Sequence, residues 1–179
     1  MTRTLRRLWR PTAVLAVVAL LGAACTRGGD SAVPGKDDPL QTKAVAEVRS
    51  LAEAHAQAVS AAAGVALENW RTNTAPCEGR GGEIADDGRW TLTGFARLPV
   101  APDDQITTLQ RVRDAWREQG HEITEDRTFT EGDGGVVSMR EAATSVTISL
   151  ATNASRDRIA LIVATGCYLP TEGEDPANP

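Results

Sequence analysis

Lysine is scarce in this chain of 179 residues, which contains only Lys36 and Lys43. The 19 basic residues are otherwise Arg, and they stand against 24 acidic residues, so the formal net charge is −5. Nonspecific binding to nucleic acid or to an anionic lipid surface needs a dense field of positive charge. The charge balance excludes this mode of binding, and we expect no nucleic-acid partner.

Cysteine, histidine and aromatic residues are also few. Three Cys and two His are too few for a metal cluster or a large disulfide framework. Aromatic residues make up 4% of the chain, which leaves little surface on which a glycosidase could stack a sugar. The apolar fraction of 41% is nevertheless ordinary for a packed domain. We therefore expect a folded domain with no metal and no cofactor.

The first 24 residues have the three parts of a secretory signal. Four Arg precede an apolar run over residues 13–21, and the small residues Gly22, Ala23 and Ala24 follow it. The run is about half the ~20 residues that a helix needs to cross a bilayer. We interpret residues 1–24 as a signal peptide, whose removal would leave 15 basic against 24 acidic residues and a net charge of −9.

The segment Leu21-Gly22-Ala23-Ala24-Cys25 resembles the lipobox of bacterial lipoproteins. The resemblance implies that the Cys25 thiol takes a diacylglycerol, that Cys25 becomes the mature N-terminus, and that acyl chains such as palmitate hold it in the membrane. The abundance of Arg, Ala and Gly resembles small actinobacterial cell-surface lipoproteins of unassigned function. That resemblance implies an anchor on the extracytoplasmic face of the cell membrane. An ordinary secretory signal that leaves Cys25 free is the alternative, and Arg6-Arg7 leaves both twin-arginine and general secretory export open.

With Cys25 assigned to lipid, Cys77 and Cys167 remain. Exported proteins meet an oxidising compartment in which disulfides persist, so we expect these two residues to be bonded to each other. A metal site is the alternative, but two Cys without a nearby His cannot complete a tetrahedral zinc site. No Cys-x-x-Cys spacing indicates a redox-active pair.

Composition divides the rest of the chain into three parts. Residues 25–41 combine Gly, Pro, Asp and Ser, which predicts a flexible tether. Residues 42–169 form one domain without an internal repeat, and residues 170–179 are acidic and contain three Pro, which predicts a disordered tail.

Hydrophobic periodicity predicts an α+β fold within that domain. We expect a single domain with a mainly antiparallel sheet of about five strands and two helices packed on one face. The first strand-helix-strand unit leaves room for one parallel pair. The predicted helices cover residues 42–74 and 103–119, and the predicted strands cover residues 89–98, 121–130, 136–140, 145–150 and 158–168.

Candidate catalytic residues do not form a pattern. His55 lies on the apolar stripe of the first predicted helix, and we interpret it as a partly buried helix residue rather than a ligand or base. His121 follows the second helix, and we expect it to face solvent. Adjacent carboxylates occur at Asp86-Asp87, Asp103-Asp104 and Glu125-Asp126, and such pairs are typical of solvated loops and helix starts. We predict no catalytic residue.

These observations favour a lipid-anchored, noncatalytic domain that binds a protein partner or a small envelope ligand. An envelope hydrolase is one alternative, and it requires Asp, Glu and His side chains to converge in a cleft. A structural or assembly protein is another, in which the Ala-rich first helix pairs with another chain. The oligomeric state and the identity of the ligand are not encoded in any motif we recognise.

Overall fold

The structure is a computed structural model that describes residues 40–79, 81–128, 134–153, 155 and 157–178. The predicted signal peptide, Cys25 and almost all of the predicted tether lie outside these residues. Within these ranges, no helix is both long enough and apolar enough to cross a membrane.

The described part of the domain contains two α-helices and six β-strands, in the order α-β-β-α-β-β-β-β. The helices are α1 (Val45–Ala63) and α2 (Gln105–Glu118), and a short 3-10 turn at Pro102–Asp104 leads into α2. The strands are β1 (Glu68–Pro76), β2 (Trp90–Leu98), β3 (Glu122–Arg127), β4 (Val136–Arg140), β5 (Thr147–Thr152) and β6 (Ile159–Ala164). The predicted α+β class and antiparallel sheet are confirmed, with six strands in place of about five.

The sheet has the strand order β1-β2-β6-β5-β4-β3, and the five pairings between these strands are antiparallel. The expected parallel pair after the first strand-helix-strand unit is therefore wrong. Strand β2 has β1 on one edge and β6 on the other, so no edge remains for β3. Strand β3 instead pairs with β4 at the far side of the sheet.

Helix α1 is shorter than predicted. The residues that follow it form strand β1, which was not predicted and which raises the number of strands to six. Gly64 adopts a left-handed conformation with φ of 68°, and the amides of Gly64 and Val65 bond back to the carbonyls of Ala61 and Ser60. This arrangement ends the helix, because glycine takes positive φ without steric cost. The chain then turns into β1, whereas the sequence pattern predicts a helix through residue 74.

Alternation along the strands separates a helix-covered face from an open face. Trp90, Leu92, Ala96 and Leu98 of β2 are buried toward the helices, as predicted for this strand. In β5 the predicted inward residues are also buried, and in β6 Ile159, Leu161 and Val163 alternate with more exposed neighbours. Both helices contribute apolar stripes to the same core. Each fully buried large aliphatic side chain contributes about 1.5–3 kcal/mol to that core.

The C-terminal segment contacts the domain, which differs from the expected disordered tail. The Glu174 carboxylate accepts a hydrogen bond at 3.0 Å from the backbone amide of Val45, the first residue of α1. A carboxylate suits this position because the helix start leaves amide donors unpaired and carries partial positive charge. The Thr74 hydroxyl of β1 donates to the Pro176 carbonyl at 2.5 Å. The segment therefore links the start of α1 to the edge strand.

Candidate functional site

The predicted disulfide is present between Cys77 and Cys167, whose Cα atoms lie 6.2 Å apart. Cys77 directly follows β1 and Cys167 lies just beyond β6, so the bond joins strands that are separated in the sheet by β2. Cys77 is buried, and its amide donates to the Arg89 carbonyl. These contacts give the pair a structural role. The predicted lipidation site, Cys25, lies outside the described residues.

His55 is brought next to an acid that sequence reasoning did not connect to it. Its Nε2 lies 3.4 Å from Oε2 of Glu141, and the His55 side chain is 15% exposed, which agrees with the predicted partial burial. Burial lowers the pKa of His55. The charge of Glu141 raises this pKa in part, and the charge of His121 lowers it further. The Thr144 hydroxyl donates to the same Oε2 atom of Glu141. The contacts tie α1 to the turn between β4 and β5.

The adjacent carboxylate pairs lie in separate parts of the molecule. Arg89 lowers the pKa of Asp87 to about 2 through a hydrogen bond between their side chains. In the Glu125-Asp126 pair, a hydrogen bond from Thr128 and the charge of Arg113 lower the pKa of Asp126. Within the part of the chain that the structure describes, no three His, Cys, Asp or Glu side chains are arranged to hold a metal ion.

The face of the sheet opposite the helices, hereafter the open face, carries two short rows of neighbouring side chains. Arg71, Phe95 and Ile162 form the first row, because Phe95 pairs in register with both of the others. Arg97 and Ala160 pair directly beside it. Neighbours across strands are about 5 Å apart, so these five side chains form one continuous patch.

A cleft of about 360 Å³ lies on this patch, hereafter the arginine cleft. It is lined by Arg71, Phe95, Arg97, Ile162 and neighbouring residues, which are Asn69, Ala96, Asn153, Arg158, Ala160 and Leu161. Its floor is apolar, and Ile162 is 41% exposed there, which is unusual for a large aliphatic side chain in this domain. A volume of this size is in the range of small-molecule sites.

The charged groups around the arginine cleft are predominantly cations. The Arg71 guanidinium carbon lies 5.4 Å from the centre of the Phe95 ring, a cation–π contact. Within the described ranges, neither Arg71 nor Arg97 forms an ion pair. Arg158 bonds to Asp157, and bonds from Arg158, Asn153 and Ser155 lower the pKa of that Asp well below its usual range.

Only part of this site had a signal in the sequence. Alternation along β2 placed Arg97 on the outward side, but Arg71 was assigned to a helix and no pattern linked either residue to Arg158. The adjacency depends on which strands pair, and β2 pairs with β6, which begins more than 60 residues further along the chain.

Comparison with known proteins found no family model that matches this chain and no matching curated protein.

Proposed function

We propose that this protein is a lipid-anchored, noncatalytic binding domain held at the outer face of the cytoplasmic membrane, and that the open face of its sheet receives the ligand. The arginine cleft is the observation that carries the binding part of the proposal. Its exposed apolar floor is a feature that a ligand would cover, as are the guanidinium groups of Arg71 and Arg97, which form no ion pair within the described residues. The lipobox-like segment ending at Cys25 supports the anchor.

The position where the tether joins the domain is consistent with an anchored domain whose arginine cleft receives a ligand. The Leu169 amide donates to the Gln41 carbonyl, and Tyr168 pairs with Trp90 at the first residue of β2. Arg97 is seven residues further along this strand, or about 23 Å at the usual rise per residue. The tether thus enters at one end of the sheet and the arginine cleft lies toward the other. A domain anchored in this way would present the cleft away from its point of attachment.

The anchor is tested on the full chain expressed in a bacterial host that processes lipoproteins. We expect mass spectrometry of the mature N-terminal peptide to show Cys25 carrying diacylglycerol, and the protein to fractionate with membranes. The Cys25→Ala variant should leave the membrane fraction while keeping the Cys77–Cys167 disulfide. An unmodified Cys25 thiol in the mature protein would contradict the anchor.

Occupation of the open face is tested independently with a single introduced thiol. Ile162→Cys places a reactive group on the floor of the arginine cleft, and Arg49→Cys places a control on the exposed side of α1. We expect a membrane-impermeant maleimide to label Ile162→Cys more slowly on intact cells than on the purified protein, and to label Arg49→Cys at equal rates. Equal rates at both positions would show that nothing covers the open face in cells.

A further inference from the structure

We infer that the arginine cleft binds a small anionic amphiphile, with an oxyanion head group on Arg71 and Arg97 and an apolar body on Phe95, Ile162 and Ala160. The inference rests on the proposed function of the open face and names the chemical class of its ligand. Nothing in the net charge of the chain, which is −5, favours anions, so the preference arises from the local arrangement.

The charges at the cleft favour an anion. Arg71, Arg97 and Arg158 line it, and none of the described residues that line it carries a carboxylate. Two acids stand at its rim: Asp157, which is bonded to Arg158, and Glu68, which pairs in register with Arg97 without forming an ion pair. Three cations against two rim acids leave a local positive charge. By contrast, Arg113 and Arg117 on α2 both form ion pairs with Asp114 and Asp126, so these two cations are balanced by two acids.

The Arg71 side chain is held in position before a ligand binds. Its guanidinium lies over the Phe95 ring, and a guanidinium contacting an aromatic face keeps its N–H donors available around its edge. Those donors form strong, often bidentate hydrogen bonds with carboxylate or phosphate oxygens. Because the side chain is already restrained, binding loses less conformational entropy than it would with a mobile Arg.

The apolar floor requires the ligand to have an apolar part. Ile162 remains 41% exposed on the β6 side of the patch, and its neighbours Phe95 and Ala160 are partly buried. Covering this surface releases water from apolar area, which a bare inorganic anion cannot do. The guanidinium groups of Arg71 on β1 and Arg97 on β2 border the apolar floor. One molecule can therefore contact both the guanidinium groups and the floor.

The dimensions favour a small molecule over a protein. A cleft of about 360 Å³ matches a small ligand. A stable protein interface instead covers roughly 800 Å² on each partner and relies on several buried anchors. A macromolecular occupant is therefore the outcome that would oppose this inference.

The experiment uses the full chain with Cys25→Ala, which removes the need for detergent. Octyl phosphate and octanoate are the anionic probes, octanol is the uncharged control, and inorganic phosphate is the control without an apolar body. Calorimetry below the micellar concentration should show that an anionic probe binds at least about tenfold more tightly than either control. The stronger of the two probes identifies the preferred head group.

Three variants locate the binding. Arg97→Gln should weaken the anionic probe about tenfold, whereas the same substitution at the exposed Arg49 should not change it. Glu68→Gln should tighten binding about twofold to fivefold, because it removes a negative charge at the rim. A merely disrupted fold would weaken binding in every variant, so tightening by Glu68→Gln separates the two explanations.

Two results would overturn the inference. One is equal binding of octanol and octyl phosphate, and the other is equal affinity in the Arg97→Gln and Arg49→Gln variants. If no probe binds while Ile162→Cys stays protected on intact cells, the ligand class is refuted and the proposed function of the open face stands. If that thiol is not protected on cells, the proposed function fails whatever the probes do.

Discussion

Removing the disulfide should cost this domain a large part of its stability. The Cys77→Ala/Cys167→Ala variant opens a covalent loop with a sequence separation of 90 residues, which contains every helix and strand except α1 and β1. The chain-entropy relation for a loop of this length gives about 4 to 5 kcal/mol. Small domains unfold with about 5–15 kcal/mol in total, so the loss should be readily measured.

The position of the bond supports this magnitude. Strands β1 and β6 do not pair with each other, because β2 lies between them. In the reduced protein, the edge strand β1 is held to the sheet through its pairing with β2, and the C-terminal segment adds the contact from Thr74. The unfolded chain gains conformational freedom over the whole loop when the bond is absent, and this gain is the main source of the expected loss.

Urea denaturation followed by tryptophan fluorescence measures the effect. With an m-value of about 2 kcal/mol per molar urea, the midpoint should fall by about 2 M. Dithiothreitol should shift the disulfide-containing protein to the same midpoint and leave the double variant unchanged. Cys25→Ala serves as the background for all samples. A midpoint shift below about 0.5 M with an unchanged m-value would refute the loop-entropy reasoning for this bond.

Three further predictions concern packing, pH and the C-terminal segment. Gly94→Ala should destabilise the domain by about 1–3 kcal/mol, because an added Cβ would lie 2.1 Å from the Trp70 indole; tryptophan emission should shift to the red as that ring moves toward water. Burial lowers the pKa of His55 in the folded protein. As the pH falls through about 6.5, the His55 imidazole therefore binds a proton more readily in the unfolded chain than in the folded protein. The urea midpoint should therefore decrease below that pH, and His55→Gln should remove this part of the decrease. Glu174→Gln should weaken the acceptor for the Val45 amide, and faster hydrogen exchange at the start of α1 would report it; unchanged exchange would contradict a role in holding that helix.

Local patterns predicted most of the secondary structure correctly. Strand β2 was identified from the alternation of Trp90, Leu92, Ala96 and Leu98, all of which are buried. The second helix was predicted at residues 103–119 and runs from Gln105 to Glu118. Both patterns are strong because one side of each element packs on the core, and the sequence period then matches the geometry of the element.

The prediction failed where two elements followed each other without a clear change in composition. Small and apolar residues continue past Gly64, so the helical spacing could be extended into what is strand β1. That strand lies at the edge of the sheet, and its burial pattern is weak. An edge strand has hydrogen-bonding partners on one side only, so its residues need not show the pattern of a central strand. The incorrect helix prediction removed Arg71 from the sheet, and Arg71 is one of the three residues of the first row on the open face.

The sequence by itself determined the α+β class and the pairing of Cys77 with Cys167. These follow from hydrophobic periodicity, turn residues and the parity of the cysteines, which are properties of neighbouring residues or simple counts. Only the tertiary structure decided that β1 joins β2, that β2 joins β6, and hence that Arg71, Phe95, Arg97 and Ile162 share one patch. It likewise brought Glu141 to His55 across 86 positions of the chain. Such contacts depend on strand order and register, which are set by the packing of the whole sheet against its helices rather than by any local segment.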